Sequence, residues 1–244
     1  MNASYVFHDH FVMAGGFLSW PGCARRDMLG SGQTRNALVP AKIRPYASED
    51  LPALYQVCLA TGANGNDASH IFRDWKLLGH IYAAPYGVLS PQTAFVVEDE
   101  VGVGGYIVGP LDTHSFERQL ESDWWPELRT HYADPPEPRS DWTPDDRLTH
   151  MIHHPPKTPK RISEPYPAHL HINLLPRLQG QRIGRVLIRT WLERMAAIGA
   201  TKAHLGVGPA NERAVRFYRA FGFHEIERLI APYNVIWFGI SCER

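Results

Sequence analysis

The chain has 244 residues, 44% apolar and 20% charged, the balance of a folded protein with a full core. Its 25 basic and 25 acidic side chains cancel, so no global field draws it to nucleic acid or to an anionic membrane. Cys23, Cys58 and Cys242 are odd in number and far apart, which excludes a CxxC pair or a disulfide framework and points to a reducing, cytoplasmic setting. No run reaches the roughly 18 apolar residues of a membrane span. The N-terminus has no basic leader and does not read as a signal peptide.

Residues 1–40, rich in glycine and small polar residues, are expected to form an extension, partly disordered, ahead of one domain over 41–244. Ala41–Arg44 is predicted as a short strand. Ser48, Glu49 and Asp50 mark a helix start, with a capping hydroxyl and acids at the positive end of the dipole. Leu51, Leu54, Tyr55, Cys58 and Leu59 follow at helical spacing until Gly62, and a second helix is expected around Ser69–Leu78. Ala94–Val97, a polar turn at Glu98–Glu100 and Tyr106–Val108 read as a β-hairpin.

Residues 110–167 break this rhythm with Trp124, Trp125, Trp142 and many prolines. An excursion of that length within a domain is expected to be functional, here a lid or wall over a substrate cleft, with a helix around Ser115–Arg129. Trp124 and Trp125 would line an apolar substrate wall or pack the lid. His150, His153 and His154 have no partner cysteine or carboxylate motif and read as a solvated loop rather than a metal site.

The last third is the most regular. It gives a strand at His169–Leu174, a turn at Pro176–Gly180 and a helix over Arg182–Ile198 with Ile183, Leu187, Trp191 and Met195 on one face. A strand at Ala203–Val207, a helix at Asn211–Phe221 stopped by Gly222, and strands at His224–Ile226 and Val235–Ile240 complete an α+β order. At its centre a strand runs into a glycine-bearing turn that opens a helix, so main-chain N–H groups and the helix dipole converge on one spot that favours phosphate. Gly180 and Gly184 allow close approach, and Arg182 and Arg185 add cations where the dipole would repel them unless an anion binds. The turn is neither a P-loop nor a dinucleotide GxGxxG.

The run Gln179-Gly180-Gln181-Arg182-Ile183-Gly184 resembles the Q/R-x-x-G-x-G/A signature of the GNAT acetyltransferases, with Arg182 where that signature prefers glycine. Asn211, Ala214, Tyr218, Gly222 and Phe223 resemble the family's N-x-x-A-x-x-x-Y-x-x-x-G-F helix. Over residues 43–240 the chain is similar to the acetyltransferase-like C-terminal domain of O-GlcNAcase, whose eukaryotic form lacks the intact cofactor turn kept here. The resemblance implies an α+β GNAT fold, with a central mixed, mostly antiparallel sheet flanked by helices and a long insertion before the fourth strand. It implies acetyl-CoA as cosubstrate, no metal, and a primary amine on a small molecule or protein as acceptor, with direct attack in a ternary complex. Leu174, Gln179, Gly180, Gln181, Arg182, Ile183, Gly184, Arg185, Asn211 and Phe217 would bind the cofactor, the Leu174 amide holding the thioester carbonyl. Tyr218 would protonate the leaving thiolate.

The strand before the turn has no carboxylate to act as base. His169, His171 and Asn173 alternate onto one face, where a histidine would serve as base or merely line a polar cleft. Asp67 and His70 are equally open as bases or as helix-capping residues. A pseudo-acetyltransferase that holds coenzyme A or a partner without turnover is the alternative, and a nucleotide-binding protein using the same turn is a third reading.

Overall fold

The structure is a computed structural model that describes residues 41–230 and 234–243, so the predicted 1–40 extension lies outside the described residues. The chain opens with strand β1 (Lys42–Pro45) and a short 3-10 turn leading into helix α1 (Leu51–Ala60). The cap is Asp50 rather than Ser48. Its carboxylate accepts the Ala47 N–H at 2.9 Å and two bonds from Arg44 at 2.6 and 2.8 Å. The Asp50 carboxyl is held below its usual value, first by the Arg44 guanidinium, against the opposing cost of burial.

The helix expected over Ser69–Leu78 starts only at its end, as α2 (Leu77–Tyr82), followed by α3 (Ala84–Leu89). The reason is competition for backbone donors. The Asp145 carboxylate takes the N–H groups of Arg73 and Asp74 at 3.1 Å, while Asp67 and Asp74 bond the amides of Ser69 and Lys76.

Strands β2 (Phe95–Asp99) and β3 (Gly102–Val108) form the expected hairpin, with Phe95 opposite Ile107 and Val96 opposite Tyr106. Their alternation sorts the core onto two faces. Val97 and Ile107 pack with Leu187, Ile188, Trp191 and Met195. Val96, Tyr106 and Val108 pack with Leu54, Tyr86 and Phe116 on the other side.

The insertion is ordered into α4 (Thr113–Asp123), α5 (Trp125–His131), α6 (Pro144–His153) and α7 (Lys160–Ser163). The single helix expected near Ser115–Arg129 is two, broken at Trp124 just before the turn that carries Pro126. Phe116, Trp125, Leu128, Leu148 and Ile152 join the second core, so this segment is a structural wall.

One stretch then serves two sheets. Strand β4 (Ala168–His169) runs parallel to β6 (Lys202–Val207), whereas β5 (His171–Leu174) runs antiparallel to β3. The break falls at Leu170. The orders are β1-β2-β3-β5 and β4-β6-β8-β7, with β7 (His224–Leu229) and β8 (Val235–Ser241) longer at their C-terminal ends than the strands expected there. Gly109 makes the break possible, because a Cβ there would lie 1.8 Å from the His169 carbonyl oxygen.

Helix α8 (Ile183–Ala197) buries Leu187, Trp191 and Met195, and the Trp191 indole N–H reaches the Thr93 carbonyl at 3.0 Å. Helix α9 (Glu212–Phe221) is capped by Asn211, whose Oδ1 accepts the Ala214 N–H at 3.1 Å. Cys58 and Cys242 are buried free thiols, and burial pushes Cys58 up to about 12. No helix among the described residues is long and apolar enough to cross a membrane.

Candidate active site

Beyond Leu170 the two sheets part. Among the described residues, strand β5 has β3 on one edge and no strand on the other, and β6 beyond His204 faces the same gap. The Leu175 N–H returns to the Gly104 carbonyl at 2.8 Å. By strand alternation, the N–H groups of His171 and Asn173 point to β3, and those of Ile172 and Leu174 point into the gap. Gln179 Nε2 donates to the Leu174 carbonyl at 2.6 Å, which ties the strand end to the turn that follows.

That turn bends through two left-handed residues. Gly180 has φ +75°, and Arg182, the residue before α8, has φ 63° and ψ 3°. The helix thus starts one residue later than expected, and the position where the signature prefers glycine is one whose backbone favours glycine. Among the described residues, the main-chain N–H groups of Gly180, Gln181, Arg182, Ile183 and Gly184 have no hydrogen-bond acceptor. Five consecutive free donors at a helix start suit a diphosphate. The donor set therefore fits coenzyme A.

The side chains around the turn divide. Arg185 Nη1 donates to the Ala220 carbonyl at 3.0 Å and its guanidinium lies 5.2 Å from the Phe221 ring, so it faces the end of α9 rather than the turn. Arg213 bonds the Gln179 amide oxygen and fixes that side chain. Phe217 packs so close to α8 that a Cβ at Gly184 would stand 3.2 Å from its ring. Tyr218 is buried among Phe217, Phe223 and Phe238, and its hydroxyl has no hydrogen-bond partner among the described residues. Burial raises the Tyr218 phenol above its usual value and keeps it protonated.

On the other side of β5 lies a cavity of about 120 Å³ reached by His169, His171, Leu205 and Gly206. The histidines meet at Tyr86, a residue to which the sequence reading gave no role. The Tyr86 hydroxyl lies 2.9 Å from His169 Nε2 and 3.0 Å from His171 Nε2. Their tautomers follow by elimination. Thr113 Oγ1 donates its single proton to the Pro167 carbonyl at 2.7 Å, so it accepts from His169 Nδ1 at 2.8 Å. Neutral His169 then accepts the Tyr86 O–H at Nε2, and Tyr86 accepts from His171 Nε2–H. Nδ1 of His171 is left with a lone pair, and no described residue bonds it.

Burial holds these rings neutral. His171 is lowered to about 4 and His169 well below its usual value, in each case by burial first and then by the neighbouring histidines. His204, lowered to about 4 by burial, donates from Nδ1 to the Tyr166 carbonyl at 2.6 Å.

The remaining sequence candidates lie elsewhere. Asn173 Nδ2 donates to the hydroxyl of Thr61, the residue just past the end of α1. Asp67 and His70 are exposed, and Asp67 closes a turn on Ser69. His150 and His154 flank Asp134 at 2.9 and 2.6 Å, whereas His153 bonds the Tyr132 carbonyl, so the three histidines belong to a helix end with its own carboxylate rather than to a loop. Trp125 lines the cavity, while Trp124 packs beside α2 through the His80 carbonyl at 2.9 Å.

The Acetyltransferase (GNAT) family model matches residues 117–223. The crystal structure of SsHAT shares 34% identity with this chain, covers 84% of it and 99% of its own length, and superposes with a TM-score of 0.75. The chain belongs to the GNAT acetyltransferase family. It is related to the acetyltransferase-like domain of O-GlcNAcase: protein O-GlcNAcase of Rattus norvegicus and of Mus musculus is 23% identical over 206 residues, 82% of this chain. The match spans only 22% of those curated relatives' length. A crystal structure of an agmatine N-acetyltransferase shares the fold at TM-score 0.50 and 18% identity, covering 82% of this chain and 99% of that one.

Proposed function

We propose that the protein transfers an acetyl group from acetyl-CoA to a primary amine by direct attack within a ternary complex, in a cytoplasmic setting. The observation that carries this reading is the set of five unpartnered N–H groups from Gly180 to Gly184, beside a gap whose edge bears the Leu174 amide. The turn would hold the diphosphate, with Gln179 and Asn211 beside it, and acetyl-CoA supplies an activated acyl carbonyl. The Leu174 N–H would face the carbonyl oxygen, where a fixed donor stabilises developing negative charge.

His171 is the base in this scheme. The nitrogen of an attacking amine becomes strongly acidic as its bond to carbon forms, so a weak but always neutral imidazole suffices. The C–N bond forms, the C–S bond breaks, the amine proton passes to His171 Nδ1, and the thiolate takes the Tyr218 proton. His169 acts through Tyr86 as a positioning residue.

Isothermal calorimetry with acetyl-CoA and with ATP, followed by thiol release across a panel of amines, tests the reading. Affinity for acetyl-CoA and amine-dependent thiol release are expected. No affinity for coenzyme A or its acetyl form in folded protein would overturn it, and binding without turnover for any amine would leave a coenzyme A-holding module.

A further inference from the structure

We propose that the cavity beside β5 is the acceptor site and that it takes a compact apolar monoamine, entering as the free base. This rests on the acyl-transfer reading and adds the acceptor's chemistry. The inner end carries no charge: His169, His171 and His204 line it, and each is held neutral by its surroundings. The walls are apolar, with Ile81, Phe116, Leu120, Trp125 and Trp237 among them. Tyr82 stands 5.9 Å from the His171 ring.

Among the described residues, the charged side chains lining it are Glu117 and Lys157. Glu117 Oε1 accepts the Thr158 N–H at 2.8 Å and its Oε2 lies 3.8 Å from His114. Lys157 pairs with Glu121 at 3.6 Å. These two residues also border the charged groove of Arg118, Lys160 and Glu164, which places them at the outer end. Against the inner walls a second ammonium or guanidinium would therefore sit in apolar surroundings, and the Glu117 carboxylate at the outer end already accepts the Thr158 N–H. An aryl or branched alkyl group would gain from the same walls. The small volume, walled in part by Met151, Pro155 and Pro156, favours a free amine over a lysine presented on a polypeptide.

The test compares 2-phenylethylamine and isoamylamine with agmatine, spermidine and a single-lysine peptide, following thiol release from acetyl-CoA. A kcat/KM advantage of about tenfold or more for the monoamines is expected, the size that a shaped apolar pocket provides. Preference for agmatine, spermidine or the peptide overturns the acceptor assignment and leaves acyl transfer standing. Absence of acetyl-CoA binding instead overturns the acyl-transfer reading on which it rests. Met151→Glu, on the cavity wall, is expected to move the ratio toward agmatine, and an unchanged ratio in folded variant counts against this cavity. The amine panel on the unaltered protein decides the matter if that variant does not fold.

Discussion

The hydroxyl of Tyr86, on α3, donates to Nε2 of His169, on β4, at 2.9 Å, although 83 residues separate them. This bond sets the direction of the whole array. With the Tyr86 proton committed to His169, the His171 Nε2–H has Tyr86 as its acceptor and Nδ1 is left to receive a proton.

Tyr86→Phe removes that link while keeping the ring stacked on Phe116 at 4.6 Å. Two half-buried imidazole rings lose a hydrogen-bond partner, so stability is expected to fall by about 1–3 kcal/mol. The amine kcat should fall about tenfold with acetyl-CoA affinity unchanged, because the base is no longer held in one tautomer. Urea denaturation and calorimetry separate the two effects.

Arg182 adopts a left-handed backbone with φ 63°. Arg182→Gly is expected to relieve this conformation and stabilise the fold by about 1 kcal/mol, read as a shift in the urea midpoint. Acetyl-CoA affinity should change little if, as proposed, the phosphate donors are main-chain N–H groups. A large loss of affinity would assign the guanidinium itself to the ligand.

Tyr218 lies in the core with a hydroxyl that bonds no described residue. Tyr218→Phe should leave the melting temperature unchanged and lower kcat roughly 10- to 100-fold with KM preserved. A variant with full kcat would make this a packing tyrosine and nothing more.

His171 and His204 are each lowered to about 4, and His169 is held well below its usual value by burial. In the unfolded chain they titrate near their usual value of about 6.5. Below that value the unfolded state binds protons that the folded state refuses. Stability is therefore complete above about pH 6.5 and falls as pH drops toward 4, with a slope of up to about 1.4 kcal/mol per pH unit for each histidine. Denaturation midpoints across that window measure it. The rate should show no histidine limb between about pH 6 and 8 and should rise with the fraction of free amine.

Elements with local causes were legible in the sequence. The β2–β3 hairpin follows from alternation around a polar turn, and the cap of α9 from Asn211 ahead of an amphipathic run. The bend of the turn was legible from Gly180, and the structure adds that Arg182 sits in a left-handed conformation that favours glycine. Features made by distant partners were not. Asp145 withdraws the amides of Arg73 and Asp74 from a helix that their neighbours alone would form. The pairing of Tyr86 with both histidines has no local signature, and neither does the change of sheet at Leu170, which depends on Gly109 passing the His169 carbonyl.

That change of sheet also fixes a length. His171 and Leu174 are the two ends of β5, three residues or about 10 Å apart on a single extended segment. The distance from imidazole to amide is thus built into covalent geometry and held by β3. The insertion helices can be re-sequenced to admit a different guest without moving either end of that ruler.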